Sequence, residues 1–380
     1  MLSFGRDERL GRILELVAKI LREGAVYCPS EPSERELLME ALDFLGCRPP
    51  PCEEERREYA LEELGFFEEI SPQRLRVFRS TEELLYKNWP TPLVKLVSLS
   101  KGGFGVWAKL ESFNPFSMSV KDRIGWSMVS EFLAKNPSAR AILYEATSTN
   151  TGMALAAMAA VKGLKAKLYL PATIQRASDV ILRVMGAEVY RVPKTLTVDF
   201  VGDVDELARR EGGVHLNQFE NNANFKVHLR YTAKELDLQA REASLSLKGI
   251  VGGIGTSGHL SALSLYFKSR YGEGVRIYAV QPAPGTVIPG IRRVESGMKW
   301  LHYVKVDRVV DVQPDEAIEH AIRIARSEGL FIGLSSGAVV AAFERLRAEG
   351  LEEGDYVLVF PDHGFKYIEQ FSDYLERTKS

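Results

Sequence analysis

The chain has 380 residues, 45% hydrophobic and 26% charged, a composition typical of soluble globular proteins with room for about two domains of 100–200 residues. Lysine and arginine total 49 against 51 aspartate and glutamate, so the net charge is −2 and no nucleic-acid partner is expected. No window approaches the ~18 consecutive apolar residues of a membrane span, so we expect a cytoplasmic protein with no membrane contact.

Residues 1–85 are predicted to form a helical extension. Apolar residues recur at helical spacing from Leu10 to Leu21, and Ser33-Glu-Arg-Glu has the pattern of a capping box that opens a second helix. Three prolines from Pro49 then interrupt, and a further helix is expected over Glu53–Leu64. We find no chemical motif in this part, which is expected to cover the main body or form a dimer surface.

The cysteines are few and all lie in this extension, at positions 28, 47 and 52. Their number is odd and no pair has the C-x-x-C spacing, so neither a disulfide framework nor a metal site is expected.

From Trp89 onward, short β-rich runs alternate with longer segments of helical period. This alternation predicts parallel sheets with crossover helices, and the number of strands favours two α/β layers with a cleft between them. Ligands in such folds bind where strands end and loops lead into helices. The predicted strands are 106–110, 141–144, 166–170, 188–192, 249–251, 275–280 and 356–360, and the main predicted helices are 151–162, 223–240 and 314–328.

The loop over residues 111–123 brings a lysine into the first turn of a predicted helix. The helix dipole disfavours a cation there, and partial burial of Lys121 between Val120 and Ile124 would add a desolvation cost. Both effects lower the pKa of a lysine and favour the neutral, nucleophilic amine that forms Schiff bases with aldehydes. An exposed surface lysine beside Asp122 is the alternative at this point.

Two further loops are rich in polar side chains. The hydroxyls of Thr147, Ser148 and Thr149, with Asn150 and the start of the next helix, suit a carboxylate, although a well-capped helix explains them equally well. The amide cluster Asn217–Asn224 follows a short predicted strand and can supply neutral donors to a ligand.

The glycine-rich loop Gly252–His259 lies between a predicted strand and a predicted helix. Glycines allow several backbone N–H groups to converge, Thr256 and Ser257 add hydroxyls, and the helix directs its positive end to the same place. The run also satisfies G-x-G-x-x-G, but the next strand ends in Gln281 without the acid that would bind a ribose. A phosphate monoester is therefore favoured over a dinucleotide.

Two loops complete the set of candidate ligand loops. Pro289–Glu295 contains two arginines, whose guanidinium groups suit bidentate capture of an anion. Ile332–Ala338 contains serines that could cap a helix or bind a ligand.

Together these motifs resemble those of the fold type II pyridoxal-phosphate enzymes, which include cysteine synthase, cystathionine β-synthase and threonine synthase. The resemblance covers the chain from about Trp89 to its end. It implies a two-domain, tryptophan synthase β-like α/β fold and a homodimer. The motifs that carry it are Pro90–Val94, Asn114–Arg123, Thr147–Gly152, Asn217–Asn221, the loop 252–258 and Gly333–Gly337.

The resemblance also implies domain boundaries and residue roles. Residues 111–225 would form the smaller domain, and 86–110 with 226–380 the larger one. Lys121 would hold the cofactor and act as catalytic base, Asn150 would contact the ring hydroxyl, and Ser335 would face the ring nitrogen. The implied phosphate-binding residues are Gly253, Gly255, Thr256, Ser257, Gly258 and His259, and the implied substrate-binding residues are Thr147, Ser148, Thr149, Thr197, Gln218, Phe219 and Arg292.

Two departures from the acetylserine-using members narrow the expected substrate. Thr149 replaces a glycine, and Gly255-Thr-Ser-Gly-His259 replaces Gly-Thr-Gly-Gly-Thr. The extension and the run Ile288–Gly297 instead resemble the archaeal-type O-phosphoserine sulfhydrylases, in which an arginine binds the substrate phosphate. We therefore expect O-phosphoserine and sulfide to give cysteine. A cystathionine β-synthase, a non-catalytic protein of the same fold and a nicotinamide dehydrogenase are the alternatives.

Overall fold

Two parallel-rich sheets and an N-terminal extension make up the protein, as seen in a computed structural model that describes residues 7–52, 58–68 and 77–378. The extension packs on the body through its apolar helix faces, with Leu14, Val17 and Leu21 buried in the same core as Trp300. Its elements are α1 (Glu8–Glu23), β1 (Ala25–Tyr27), α2 (Pro32–Leu45), β2 (Glu58–Ala60) and α3 (Thr81–Lys87).

Three expectations for the extension are wrong. The helix over Glu53–Leu64 does not form in its described part, because β2 pairs antiparallel with β1; residues 53–57 lie outside the described residues. Helix α2 begins at Pro32 after Glu31, with no side-chain cap, so Ser33 is inside the helix and not its cap. Cys28 and Cys52 form a disulfide with a Cα–Cα distance of 5.6 Å. The β1–β2 pairing brings these two distant segments together, which cysteine spacing alone did not indicate.

The larger sheet has six strands in the order β11-β10-β9-β12-β4-β3, all parallel except for the β3–β4 pair. Its central strands are buried on both faces, which explains their nearly continuous apolar runs. The strands are β3 (Leu93–Lys95), β4 (Phe104–Leu110), β9 (Leu247–Gly253), β10 (Arg276–Pro282), β11 (Arg308–Val312) and β12 (Gly354–Phe360).

The smaller sheet has four parallel strands in the order β7-β6-β5-β8. Each strand except the last is followed by a crossover helix, so the βαβ rhythm predicted from the sequence is confirmed. The strands are β5 (Ile142–Ala146), β6 (Lys165–Pro171), β7 (Glu188–Val192) and β8 (Val214–His215).

Helices cover the sheets, and three of them are buried on nearly every face: α5 (Thr149–Lys162), α10 (Gly258–Tyr271) and α12 (Leu334–Ala348). The predicted helix 223–240 is observed as α8 and α9 joined by a π-helical segment over His228–Ala233. The helices of the body are α4 (Lys121–Lys135), α5 (Thr149–Lys162), α6 (Ala177–Val184), α7 (Val201–Arg210), α8 (Asn222–Val227), α9 (Lys234–Glu242), α10 (Gly258–Tyr271), α11 (Pro314–Glu328), α12 (Leu334–Ala348) and α13 (Ile368–Arg377).

The parallel arrangement gathers the candidate loops at the carboxyl ends of the strands. Loops after β4, β9, β10 and β12 of the larger sheet meet those after β5, β6, β7 and β8 of the smaller one. The division into domains at residues 86, 111 and 226 stays a prediction. In the described part of the chain, no helix combines the length and apolar character needed to cross a bilayer.

Candidate active site

A cavity of about 310 Å³ opens where these loops meet. Both sheets contribute to its wall, as the strand alternation predicted. Ten of the residues singled out from the sequence line it: Lys121, Ser148, Asn150, Thr197, Gln218, Phe219, Gly255, Thr256, Arg292 and Ser335.

The other predicted residues lie behind this wall. The Thr147 hydroxyl donates to the Ser148 carbonyl at 2.9 Å, and the Thr149 hydroxyl is 2.6 Å from that of Ser178. The ring of His259 packs edge-on against that of His228, with 4.8 Å between centroids. The side chains of Thr147, Thr149 and His259 make contacts within the protein, and these three residues do not line the cavity. The remaining members of this group are Gly253, Ser257 and Gly258.

Lys121 is the first residue of α4 and lines the cavity. Burial, together with the charge of Arg292, lowers the pKa of Lys121 to about 8, against the opposing effect of Asp362. The sequence predicted both the position in the first turn and the direction of this pKa shift. With this pKa, roughly a tenth of Lys121 is the neutral amine at pH 7.

The loop between β9 and α10 has no space for larger side chains. A Cβ on Gly255 would lie 2.6 Å from the Gly290 carbonyl oxygen, and one on Gly258 would overlap the Asn224 side chain. Ser257 adopts a φ of 72°, and its buried hydroxyl has no hydrogen-bond partner among the described residues. A loop of small residues, a hydroxyl without a described partner and the N-terminus of α10 fit a phosphate monoester.

Asn150, in the first turn of α5, is held by a residue that the sequence analysis missed. Its Nδ2 donates to Oδ2 of Asp362 at 2.8 Å. Asp362 is the second residue after the central strand β12, and Pro361 between them lines the cavity. The available signal in the sequence is a polar residue just after the carboxyl end of the predicted strand 356–360.

Arg292 lines the cavity with a guanidinium group that is only partly hydrogen-bonded within the described residues. Its Nε donates to the Gly255 carbonyl at 2.8 Å, and the group lies 4.8 Å from the ring centre of Phe219. Its Nη1 is buried and has no partner within the described ranges, and burial lowers the pKa of Arg292 to about 10. Arg293, by contrast, pairs with Asp311 at 3.0 Å and Glu295 at 2.9 Å, away from the cavity.

Gln218 is fixed by contacts to the end of β5 and the start of α5. Its side chain donates to the Ala146 carbonyl at 3.1 Å and accepts from the Thr151 hydroxyl at 2.7 Å. Its backbone N–H donates to Glu145 at 3.1 Å. Glu145 is a second residue that the sequence analysis missed, and burial raises its pKa to about 8.

Comparison with known proteins places the chain in a family. The profile of the family described as "Pyridoxal-phosphate dependent enzyme" matches residues 84–362. The chain belongs to this family. This pyridoxal-phosphate dependent enzyme is 38% identical in sequence to cysteine synthase B of Pseudomonas aeruginosa, over 73% of this chain and 93% of that protein. It shares 35% identity with cysteine synthase of Aquifex aeolicus, over 69% of this chain and 82% of that protein.

Solved structures agree with the family membership. The crystal structure of O-ureido-L-serine synthase superposes with a TM-score of 0.70 at 29% identity, covering 80% of this chain and 96% of that one. A hydrogen sulfide-producing enzyme from Fusobacterium nucleatum gives 0.69 at 27% identity, covering 77% and 100%.

The chain is thus a pyridoxal-phosphate dependent enzyme of the cysteine synthase type, which catalyses β-replacement. The fold class, the cofactor and the enzymatic nature predicted from the sequence are confirmed. The comparisons favour neither a dehydrogenase nor a non-catalytic protein.

Proposed function

We propose that the enzyme converts O-phospho-L-serine and sulfide to L-cysteine and phosphate. The observation that carries this proposal is the buried Nη1 of Arg292 in the cavity wall, which has no hydrogen-bond partner in residues 7–52, 58–68 and 77–378. A buried guanidinium group that has no carboxylate partner is costly unless a ligand supplies the negative charge. The phosphate of the substrate is such a ligand, and it is also the group that leaves in the reaction.

The residues around the cavity fit the cofactor. Lys121 would hold it covalently, Asn150 would contact the ring hydroxyl, and Ser335 would face the ring nitrogen. When bound, pyridoxal phosphate withdraws electrons from the substrate α-carbon, which allows the α-proton to leave and the β-substituent to be expelled. The loop that would hold its phosphate contains Gly253, Gly255, Thr256, Ser257, Gly258 and His259.

Lys121 would move the α-proton. Its lowered pKa leaves part of the population neutral near pH 7, so its Nζ can accept a proton from the substrate α-carbon. Arg292 would bind the phosphate as it departs and stabilise the charge that develops on it. The substrate carboxylate would bind at the N-terminus of α5, and sulfide would then add at Cβ. The residues proposed for this carboxylate and its surroundings are Thr147, Ser148, Thr149, Thr197, Gln218 and Phe219.

Replacement of Arg292 tests the choice of substrate. Arg292→Ala is expected to lower kcat/KM for O-phosphoserine by about ten- to a hundredfold, the value of a charge-assisted contact of about 1.5–3 kcal/mol. kcat/KM for O-acetylserine should change much less, because its leaving group carries no dianion. The measurement is steady-state cysteine formation from O-phosphoserine, O-acetylserine and serine with sulfide.

Arg293→Ala is the matched control, since Arg293 is the adjacent arginine and is paired outside the cavity. It should leave both kcat/KM values nearly unchanged. Equal losses on O-phosphoserine and O-acetylserine in Arg292→Ala would remove Arg292 as a phosphate-binding residue. If the wild-type enzyme prefers serine and homocysteine to O-phosphoserine and sulfide, cystathionine formation replaces the proposed reaction.

Lys121→Ala tests the cofactor lysine independently of the substrate. The wild-type protein should be yellow from its covalently held cofactor, and the variant should lose both that absorbance band and cysteine formation. A variant that keeps its activity would contradict the assignment.

A further inference from the structure

We propose that Asp362 is a positioning residue of the catalytic site, which joins the segments presenting Lys121, Asn150 and Ser335 and fixes the orientation of the Asn150 carboxamide. The inference rests on the proposed roles of these three residues. It adds a carboxylate to a site whose other charged groups are cationic.

The backbone around Asp362 connects two of these segments directly. Residue 362 forms an antiparallel bridge with Ser119, and the preceding carbonyl of Pro361 accepts a hydrogen bond from the Val120 N–H at 2.8 Å. On the other side, the Asp362 carbonyl accepts from the Gly333 N–H at 3.1 Å. The residue therefore contacts both the turn that leads into Lys121 and the turn that leads into Ser335.

The side chain reaches the third segment. Asp362 is 1% exposed, and its Oδ2 accepts hydrogen bonds from Asn150 Nδ2 at 2.8 Å and from the Tyr367 hydroxyl. A carboxylate only accepts hydrogen bonds, so the amide of Asn150 must turn its nitrogen toward Asp362. The rotated amide would place two acceptor oxygens against each other, which fixes the orientation of the cavity-lining Asn150.

The second oxygen of Asp362 is unexpected for a purely structural group. Oδ1 is buried without a hydrogen-bond partner among the described residues, and a Cβ on Gly333 would overlap it. Within the described residues, the only cationic side chain with a nitrogen within 4 Å of the Asp362 carboxylate is Lys366, whose Nζ lies 3.7 Å from Oδ2. A buried carboxylate that is half satisfied costs stability, and such costs concentrate at functional sites.

The charge of Asp362 also acts on Lys121. Asp362 raises the pKa of Lys121, whereas burial and Arg292 lower it. The other titratable groups that interact with Lys121 are His228 and His259, and burial holds the pKa of each below its ordinary value. These histidines are neutral above pH 6, so Asp362 is the negative charge that keeps Lys121 from losing its proton more readily.

Asp362→Asn tests the proposal, because asparagine has the same shape and no charge. The rate at which apo-protein takes up pyridoxal phosphate follows the neutral fraction of Lys121, so its pH midpoint should lie near 8 in the wild type. In Asp362→Asn this midpoint should fall measurably below the wild-type value, since a negative charge no longer favours the protonated amine. In the holoenzyme, kcat should fall about tenfold while KM for O-phosphoserine changes less than about twofold.

Asp355→Asn is the matched control at the opposite end of β12. Asp355 accepts hydrogen bonds from the Trp107 indole at 2.9 Å and the Ser246 N–H at 2.8 Å, and it does not line the cavity. This variant should keep the wild-type uptake midpoint even if it loses stability. Circular dichroism establishes that each variant is folded, and Asp362→Ser serves as a second neutral variant.

The proposal is overturned if a folded neutral variant at position 362 takes up the cofactor with the wild-type midpoint, or if Asp355→Asn shifts that midpoint equally. A different result would show that Lys121 is not the residue that holds the cofactor. In that case Lys121→Ala would still take up the cofactor covalently, whatever residue stands at position 362.

Discussion

At the scale of single residues, Glu145 shows that burial can outweigh hydrogen bonding in setting the pKa of a carboxyl group. It is fully buried at the end of β5, and one of its oxygens has no partner in the described part of the chain. Burial raises the pKa of Glu145 to about 8, although backbone N–H groups of Gln218 and Asn217 partly oppose the shift. The folded protein therefore keeps this carboxyl protonated over a range in which the unfolded chain ionises it.

Glu145→Gln should abolish a pH dependence of stability. Because the folded pKa is raised above the ordinary value of 4.5, the stability linked to this group is fully present below pH 4.5 and is lost as the pH rises to about 8. Glutamine mimics the protonated acid, so the free energy of unfolding of the variant relative to wild type should increase between pH 5 and 8.

Urea denaturation at several pH values measures this difference. The exposed Glu188 on β7 offers the control, and Glu188→Gln should change the free energy of unfolding by less than about 0.5 kcal/mol throughout. A difference between Glu145→Gln and wild type that is constant with pH would contradict the prediction.

Residue positions that depend on local sequence were predictable, and those that depend on distant partners were not. Lys121 could be placed in the first turn of a helix because its neighbours in the chain show the helix start. Asp362 and Glu145 matter through contacts with Asn150 and Gln218, which are far along the chain. Hydrophobic periodicity carries no information about such pairs.

At the scale of elements, a buried ionic cluster joins β4, α4 and α9 beneath Lys121. Arg123 Nε lies 2.6 Å from Glu111, its Nη1 lies 2.7 Å from Glu235, and Lys109 lies 3.0 Å from Glu235. All four side chains are fully buried. Burial by itself would raise the pKa of Glu111, but the charge and hydrogen bonds of Arg123 hold that pKa below its ordinary value.

Arg123→Ala is expected to lower the free energy of unfolding by about 3–5 kcal/mol, because it leaves two carboxylates buried without their main cation. Chemical denaturation of the wild type and variant measures the loss. Arg377→Ala breaks an exposed pair with Asp315 and should cost at most about 1 kcal/mol. Similar losses in the two variants would show that the cluster contributes no more than a surface pair.

Elements with strong periodicity agree closely with their predictions. The strand 188–192 and the helix 314–328 have the predicted bounds, and the other predicted strands differ by at most two residues at either end. The predicted helix 223–240 contains the π-helical segment His228–Ala233, where His228 packs against His259 of a neighbouring helix. A widened turn of this kind depends on tertiary packing and leaves the period of apolar residues nearly unchanged.

At the scale of the whole molecule, the extension is attached to the body by polar as well as apolar contacts. The buried Lys234 at the start of α9 donates to the carbonyls of Leu45 and Phe66, and its ammonium lies 4.1 Å from the ring centre of Phe66. Within the extension, the disulfide between Cys28 and Cys52 closes a loop with a sequence separation of 24.

Cys28→Ser should lower the free energy of unfolding by about 3.5 kcal/mol, the chain-entropy value for a loop of this length. Thermal or chemical denaturation measures the loss, and a thiol reductant should reproduce it in the wild type. Cys47→Ser is the control, because Cys47 takes no part in the disulfide. A wild-type protein whose stability is unaffected by reductant would contradict the prediction.

The strand order has a consequence for how the chain is made. The last strand, β12, lies between β9 and β4, so these two strands have no common partner until residues 354–360 have been synthesised. The amino terminus emerges from the ribosome first, and most of the enzyme therefore emerges before its larger sheet can be completed. The unfinished chain exposes two apolar strand edges during this time, which makes prompt release or chaperone protection important for its yield.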